Sequence, residues 1–277
     1  MRVGVLGHGA IGAKVAGVLR AGGVPGAELT AVLRRDGRDR RDGPDGPDGA
    51  GGADAGVPEL VRDARELAEA ADVVVEAAGQ DALRRYGPGI LDAGRDLVAV
   101  SVGALADDAL FARLRRAPGR LLVCPGALGG LDVVRSAALG GPLRSVRLTS
   151  AKKPSSLVQP WMDAGLAERL RALEPGQEPV VLHDGSAREA AARFPRNANV
   201  AATLALAAGD WDIVRVRLVA DPGAALTRHV VEFAGEVGEY RFELAHLPDP
   251  ANPATSGLVP YAVLRTLGDL SASWRVA

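Results

Sequence analysis

Glycine at positions 7, 9 and 12, inside Gly7-His8-Gly9-Ala10-Ile11-Gly12, constrains this chain more than any other feature. The run follows residues 2–6, a short apolar strand, and opens residues 10–21, where apolar side chains recur at helical spacing. A G-x-G-x-x-G run is weak by itself and becomes specific when a strand ends in it and a helix starts from it. Each glycine has a steric reason. Gly7 permits the tight turn, Gly9 lets the backbone approach a pyrophosphate, and Gly12 lets the helix pack closely on the sheet. The helix start then offers free N–H groups and the positive end of its dipole to phosphate. Gly7, Gly9, Ala10, Ile11 and Gly12 are therefore the expected dinucleotide turn. His8 within it reads as a variable position rather than a catalytic one.

Strand-like and helix-like segments alternate from this turn to Cys124. Strands are expected at 28–33, 73–76, 97–100 and 121–124, and helices at 58–70 and 106–116. A further helix at 83–93 is interrupted by Gly87-Pro88-Gly89. Such alternation implies a parallel sheet with right-handed crossovers, a Rossmann-type α/β domain over residues 1–125. Beyond it, strand-like runs at 146–149, 180–183, 213–219, 230–233 and 240–244 have few helices between them. They predict a second, α+β substrate domain over 126–249. A late helix near 259–267 belongs to a segment, 250–277, expected to pack back on the first domain. Residues 36–56 are rich in Gly, Asp and Pro and nearly lack large apolar side chains, so they read as a solvated loop insertion after the second strand.

Composition excludes several function classes. Net charge is −1 over 277 residues, so no broad basic surface for nucleic acid is expected. No apolar run approaches the ~20 residues of a membrane span. Cys124 is the only cysteine, which rules out an internal disulfide and makes a reducing, cytoplasmic setting the expectation. No His, Cys and Asp cluster has metal spacing. A small-molecule substrate and a homodimeric assembly remain.

The end of the second strand in such a domain selects the cofactor: an acid bonds the ribose hydroxyls of NAD, an arginine accommodates the 2′-phosphate of NADP. Here it reads Leu33-Arg34-Arg35-Asp36. Arg34 and Arg35 favour NADP, with NAD as the alternative if Asp36 does the selecting. Ala78 in Ala77-Ala78-Gly79-Gln80 and Gly103 in Ser101-Val102-Gly103-Ala104 follow later strands and leave room for a ribose or nicotinamide. Pro125 to Gly130 is another small-residue loop, at the junction of the two halves, where a substrate cleft would sit. Asn197 and Asn199 flank Ala198 at a helix start, where one can cap and the other bind. Lys152 and Lys153 close a strand in a chain whose other basic residues are, Lys14 apart, all Arg, and a lysine can pair with a substrate carboxylate as a compact charge. His229 lies just before a strand, and an imidazole titrating near neutrality suits proton transfer. His183 and His246 read as structural, and Cys124 as buried filler.

Six segments, in this order and spacing, resemble the L-aspartate dehydrogenase family: Gly7 to Gly12, Ser101 to Leu105, Pro125 to Asp132, Asp184 to Ala191, Phe194 to Leu204 and Val216 to Pro222. The segments at Asp184 and Phe194 are the most specific, because a generic dinucleotide-binding enzyme has no reason to carry them. The resemblance implies oxidation of L-aspartate with NAD or NADP to iminoaspartate, or after hydrolysis to oxaloacetate and ammonia, and a possible supply of iminoaspartate for NAD biosynthesis. It implies that Ala127 and Asn199 contact the dinucleotide and that His229 is the active-site residue. It favours Lys153, in Lys153-Pro154, over Lys152 for the substrate carboxylate; Asn197, from its place at the helix start, is the other expected substrate contact. The long Asp- and Gly-rich loop departs from the family's compact segment, beside the expected ribose-selecting contacts. Two rivals stand beside this reading: another reductase of the same fold, like dihydrodipicolinate reductase or homoserine dehydrogenase, and a non-catalytic NADP-binding sensor.

Overall fold

The computed structural model describes residues 1–34, 59–195, 197, 199–249 and 252–275. The first half is one parallel sheet of β1 (Arg2–Leu6), β2 (Glu28–Leu33), β3 (Glu59–Leu60), β4 (Val73–Glu76), β5 (Asp96–Ala99) and β6 (Leu121–Val123), in the order β3-β2-β1-β4-β5-β6. Its crossovers are α1 (Ala10–Arg20), α2 (Ala64–Ala70), α3 (Gln80–Asp92) and α4 (Asp108–Arg115). Helices on both faces explain why the central strands read as unbroken apolar runs: Val73, Val74 and Val75 are all buried. Strand order reverses between β1 and β4, which opens a crevice at their carboxyl ends. The expected α/β class and the Rossmann-type sheet are what the structure shows.

The second half is a mixed sheet. Its strands are β7 (Leu143–Lys152), β8 (Val180–Ser186), β9 (Val214–Ala220), β10 (Thr227–Gly235) and β11 (Gly238–His246), in the order β11-β10-β7-β9-β8. Only β7 and β9 run parallel. The buried face of the sheet meets α5 (Leu131–Leu139), α7 (Ala187–Arg193) and α8 (Asn199–Ala208), while α6 (Ala164–Ala172) lies in the excursion between β7 and β8. A short hairpin, β12 (Pro248–Asp249) with β13 (Asn252–Ser256), leads into α9 (Val259–Ser271). α9 packs beside α1, and its Val263 and Leu267 share an apolar cluster with Val3, Val5, Val15 and Leu19.

Several elements differ from the expectations. Helix 58–70 begins only at Ala64, because Asp63 caps it, accepting from the N–H groups of Arg65 and Glu66, and Glu59–Leu60 joins the sheet instead. The helix expected at 83–93 runs from Gln80 to Asp92 straight through Pro88. An internal proline costs about 3 kcal/mol, whereas burying Leu83, Ile90 and Leu91 completely returns roughly 1.5–3 kcal/mol each. The second half holds more helix than its sequence suggested. α8, Asn-Val-Ala-Ala-Thr-Leu-Ala-Leu-Ala-Ala, is apolar nearly all round and so carries no stripe to read. α7 is announced by a capping box, Ser186 with Glu189. Among the described residues no helix is long and apolar enough to cross a membrane. Arg35 and the loop reading for 36–56 lie outside the described residues.

Candidate active site

The glycine-rich turn has the geometry a pyrophosphate needs. Gly7 adopts φ +97°, and a Cβ there would stand 2.8 Å from the Ala77 carbonyl oxygen. A Cβ on Gly12 would stand 2.0 Å from the carbonyl oxygen of Gly7, so only glycine lets α1 start this close to the sheet. Gly9 is the opposite case: a Cβ would meet nothing within 4 Å. That open space lies at the N-terminus of α1, where no side chain caps the helix. The residues therefore fit a dinucleotide phosphate. Arg34, exposed at the end of β2, is close enough to His8 that, after burial, it is the next cause holding that imidazole below its usual range.

The neighbouring loops are tied together by a buried carboxylate that sequence reasoning passed over. Glu76 ends β4 with no exposed surface. Its Oε1 accepts from the N–H groups of Ala78 (2.8 Å) and Gly79 (3.0 Å) and from the Ser101 hydroxyl (2.8 Å). Its Oε2 accepts from the Ser101 N–H at 3.0 Å. Burial pushes the carboxyl up from the ordinary glutamate range, and the four donors oppose that rise. Ala78 and Gly103, both expected at the cofactor, thus have their N–H groups engaged inside the protein: Gly103 donates to Asn199 Oδ1 at 3.0 Å. A Cβ on Gly103 would stand 2.2 Å from Gln80 Nε2, so its smallness accommodates a neighbouring side chain.

A cleft opens where the two sheets meet. It is lined by Ile11 of α1, Val100 and Val102 beyond β5, Ala127 beyond β6, Asn197 and Asn199 at the start of α8, and Lys152 and His229 of the second sheet. Thr255, Ser256 and Val259 close it from β13 and α9. The fold thus brings Ile11, Ala127, Asn197, Asn199 and His229 together. Asn197 is buried, accepts from Gln159 Nε2 at 3.0 Å and donates to the Ser156 carbonyl at 3.4 Å.

Strand pairing builds the chemistry around His229. The residue lies inside β10, not before it, and pairs with Ser150 of β7 on one side and Leu244 of β11 on the other. Residues two positions from a direct partner are its diagonal neighbours on the same face. Those are Lys152 on β7 and His246 on β11. The Ser150 hydroxyl meets His229 Nδ1 at 2.8 Å, the two imidazole centroids are 5.9 Å apart, and His246 Nε2 donates to the Ala127 carbonyl at 2.8 Å. Burial, then the Lys152 charge, then His246 hold the His229 pKa well below 6.5, so it does not titrate near neutrality. Burial likewise draws Lys152 down to about 8. Lys153, expected at the substrate, is not among the residues lining this cleft, whereas Lys152 is. Along β7 the buried face carries Val146, Leu148, Ser150 and Lys152, and the next residue, Lys153, emerges exposed on the other side. That alternation was readable in the sequence. Cys124 lines the cleft as a thiol, its pKa pushed up to about 11 by burial.

Comparison with known proteins agrees with this geometry. Residues 132–270 match the family described as aspartate dehydrogenase, C-terminal, and residues 7–120 match the homoserine dehydrogenase NAD-binding domain. An L-aspartate dehydrogenase of Ruegeria pomeroyi is 38% identical over 99% of this chain and 94% of its own. The chain belongs to the L-aspartate dehydrogenase family. L-aspartate dehydrogenase 2 of Bordetella pertussis is 39% identical, covering 96% of this chain and 95% of its own. Among solved structures, the aspartate dehydrogenase of Thermotoga maritima superposes with a TM-score of 0.70 at 27% identity over 100% of this chain and 99% of that one. The family thus accounts for both sheets and for the segment that closes the cleft between them.

Proposed function

We propose that this chain oxidises L-aspartate with NAD(P)+ to iminoaspartate, which water converts to oxaloacetate and ammonia. Residues 1–125 with α9 would serve as the dinucleotide-binding domain and 126–249 as the substrate domain. The observation that carries the reading is the cleft: a buried imidazole and a buried ammonium face the same space as Ile11 of the glycine-rich turn. A dinucleotide bound there supplies the hydride acceptor. Among the described residues lining the cleft, Lys152 is the only one with a cationic side chain below its pKa of about 8. It therefore takes the substrate-carboxylate role expected of Lys153.

His229 is the base in this reading. When its Nδ1–H is donated to Ser150, Nε2 keeps a lone pair for the proton that the substrate nitrogen releases as the Cα hydride departs. A depressed pKa keeps that lone pair available at neutral pH. Ala127, Asn199 and Asn197 all line this cleft; in this reading the first two meet the dinucleotide and Asn197 the substrate. Arg34 beside the glycine-rich turn favours NADP through its charge toward a 2′-phosphate. The test is reduction of NAD+ and NADP+ by the purified protein with L-aspartate, and with homoserine as comparison. Aspartate-dependent reduction is expected. Turnover of homoserine but not aspartate, or binding without any turnover, overturns the proposal.

A further inference from the structure

We infer that Glu76 is a positioning residue, whose carboxylate clamps the loops after β4 and β5 into the floor under the reacting end of the dinucleotide. The inference rests on the proposed use of the cleft. The contacts on both sides of the carboxylate carry it. On one side Glu76 holds the N–H groups of Ala78 and Gly79, and the same loop abuts the glycine-rich turn, since a Cβ on Gly7 would stand 2.9 Å from Ala78 Cα. On the other side Glu76 holds both the N–H and the hydroxyl of Ser101. The next residue, Val102, lines the cleft that His229 lines. Beyond it, Gly103 is bonded to Asn199, at the start of α8. A single side chain thus connects the pyrophosphate turn, through two loops, to the wall shared with the second sheet.

The chemistry of the group matches a clamp. All four of its hydrogen bonds come from donors on two loops, so the ionised carboxylate is the form the surroundings satisfy. A fully buried carboxylate is costly to keep unless such donors compensate it. A nonpolar side chain would fill the space at the end of β4 and leave those three N–H groups without an acceptor. Glutamine is nearly isosteric but turns one acceptor into a donor, which then faces a donor. Aspartate keeps the charge and loses the reach.

The test uses full-length Glu76→Gln, Glu76→Asp and Ser101→Ala beside wild type. Melting temperature, reduced-dinucleotide affinity by fluorescence, and kcat and KM for L-aspartate are measured well below each melting point. Misplacing a reacting group by about 1 Å can cost ~100-fold. Glu76→Gln and Glu76→Asp should therefore lose about tenfold or more in kcat and in dinucleotide affinity while melting cooperatively. Ser101→Ala, which removes one of the four donors, should move the same quantities in the same direction by less. A purely structural residue would lower the melting temperature and leave kcat and affinity of the folded protein at wild-type values; that result overturns the inference. If the Glu76 variants fail to fold, Ser101→Ala decides, and wild-type kinetics in it refute the clamp. If wild type does not oxidise aspartate, the functional proposal fails, whereas the dinucleotide affinities still decide the role of Glu76.

Discussion

His229 and Lys152 are diagonal neighbours on adjacent strands; burial makes both harder to protonate, and the Lys152 charge lowers His229 further. His229→Asn keeps polarity and volume but cannot carry a proton. It should bind dinucleotide normally and lose turnover by ~100- to 10,000-fold, read by steady-state kinetics beside fluorescence titration. Stability supplies an independent check. The folded His229 pKa lies below its unfolded value, so the stability it contributes is complete above about pH 6.5 and is lost as pH falls toward the depressed folded value. Denaturant midpoints should therefore drop on acidification, less steeply in His229→Asn. Lys152 gives the opposite limb. Its charge is present below about pH 8 and lost above it, so KM for aspartate should rise as pH passes about 8. Lys152→Met should raise that KM about ten- to hundredfold, for a hydrogen bond to charge of ~1.5–3 kcal/mol. It should also lift the acid limb of kcat, since the Lys152 charge helps hold the imidazole down. Lys153→Ala, on the exposed side, should leave KM unchanged. Arg34→Ala should weaken NADP by about tenfold and spare NAD, at ~1.4 kcal/mol per decade.

At the scale of elements, α1 and the turn that starts it separate binding from folding. Gly9 has φ −81° and ψ −165°, a conformation open to any residue, and faces empty space. Gly9→Val should melt like wild type and lose dinucleotide affinity by about 100-fold, ~2.7 kcal/mol, because the side chain would occupy the phosphate position. Gly12→Ala is a smaller change with the opposite outcome. Its Cβ would lie 2.0 Å from the Gly7 carbonyl oxygen, and backbone on both sides must move. A lowered melting temperature is expected there, before any effect on ligand. Similar folding losses in both variants would show that the turn acts as scaffold and not as a phosphate cradle.

At the scale of the molecule, the last helix joins the first strand. Leu267 of α9 is fully buried in the cluster that contains Val3, Val15 and Leu19, although more than 240 residues of chain separate them. Leu267→Ala should destabilise by about 2–5 kcal/mol, the range for a truncated core leucine, in a urea titration followed by circular dichroism. Because α9 begins at a cleft residue, Val259, the same loosening should raise the KM for dinucleotide. Unchanged stability in Leu267→Ala would mean that α9 does not hold the two ends together.

The sequence by itself determined the alternation of strands and helices in the first half, with the bounds of β2 and β4. β2 and β4 fall where their apolar runs begin and end, and the glycines of the turn sit where sterics require them, because these features depend on local backbone geometry and period. The burial of Lys152 and the exposure of Lys153 were legible too, through the alternation along β7. Other features had no local signal. α8 has no polar face to reveal it, since both sides of the helix are covered. Glu76 looked like the end of a buried strand until its four donors, two of them from residue 101, came into place. His246, read as structural, became a neighbour of His229 only when β10 paired with β11. Ser150 reached the same imidazole only when β7, 79 residues earlier, paired with β10. The depressed pKa values of His229 and Lys152 follow from burial, which is a property of the closed cleft. Which strands lie side by side is settled by the packing of the whole chain, and in this protein that packing decides which residues line the cleft.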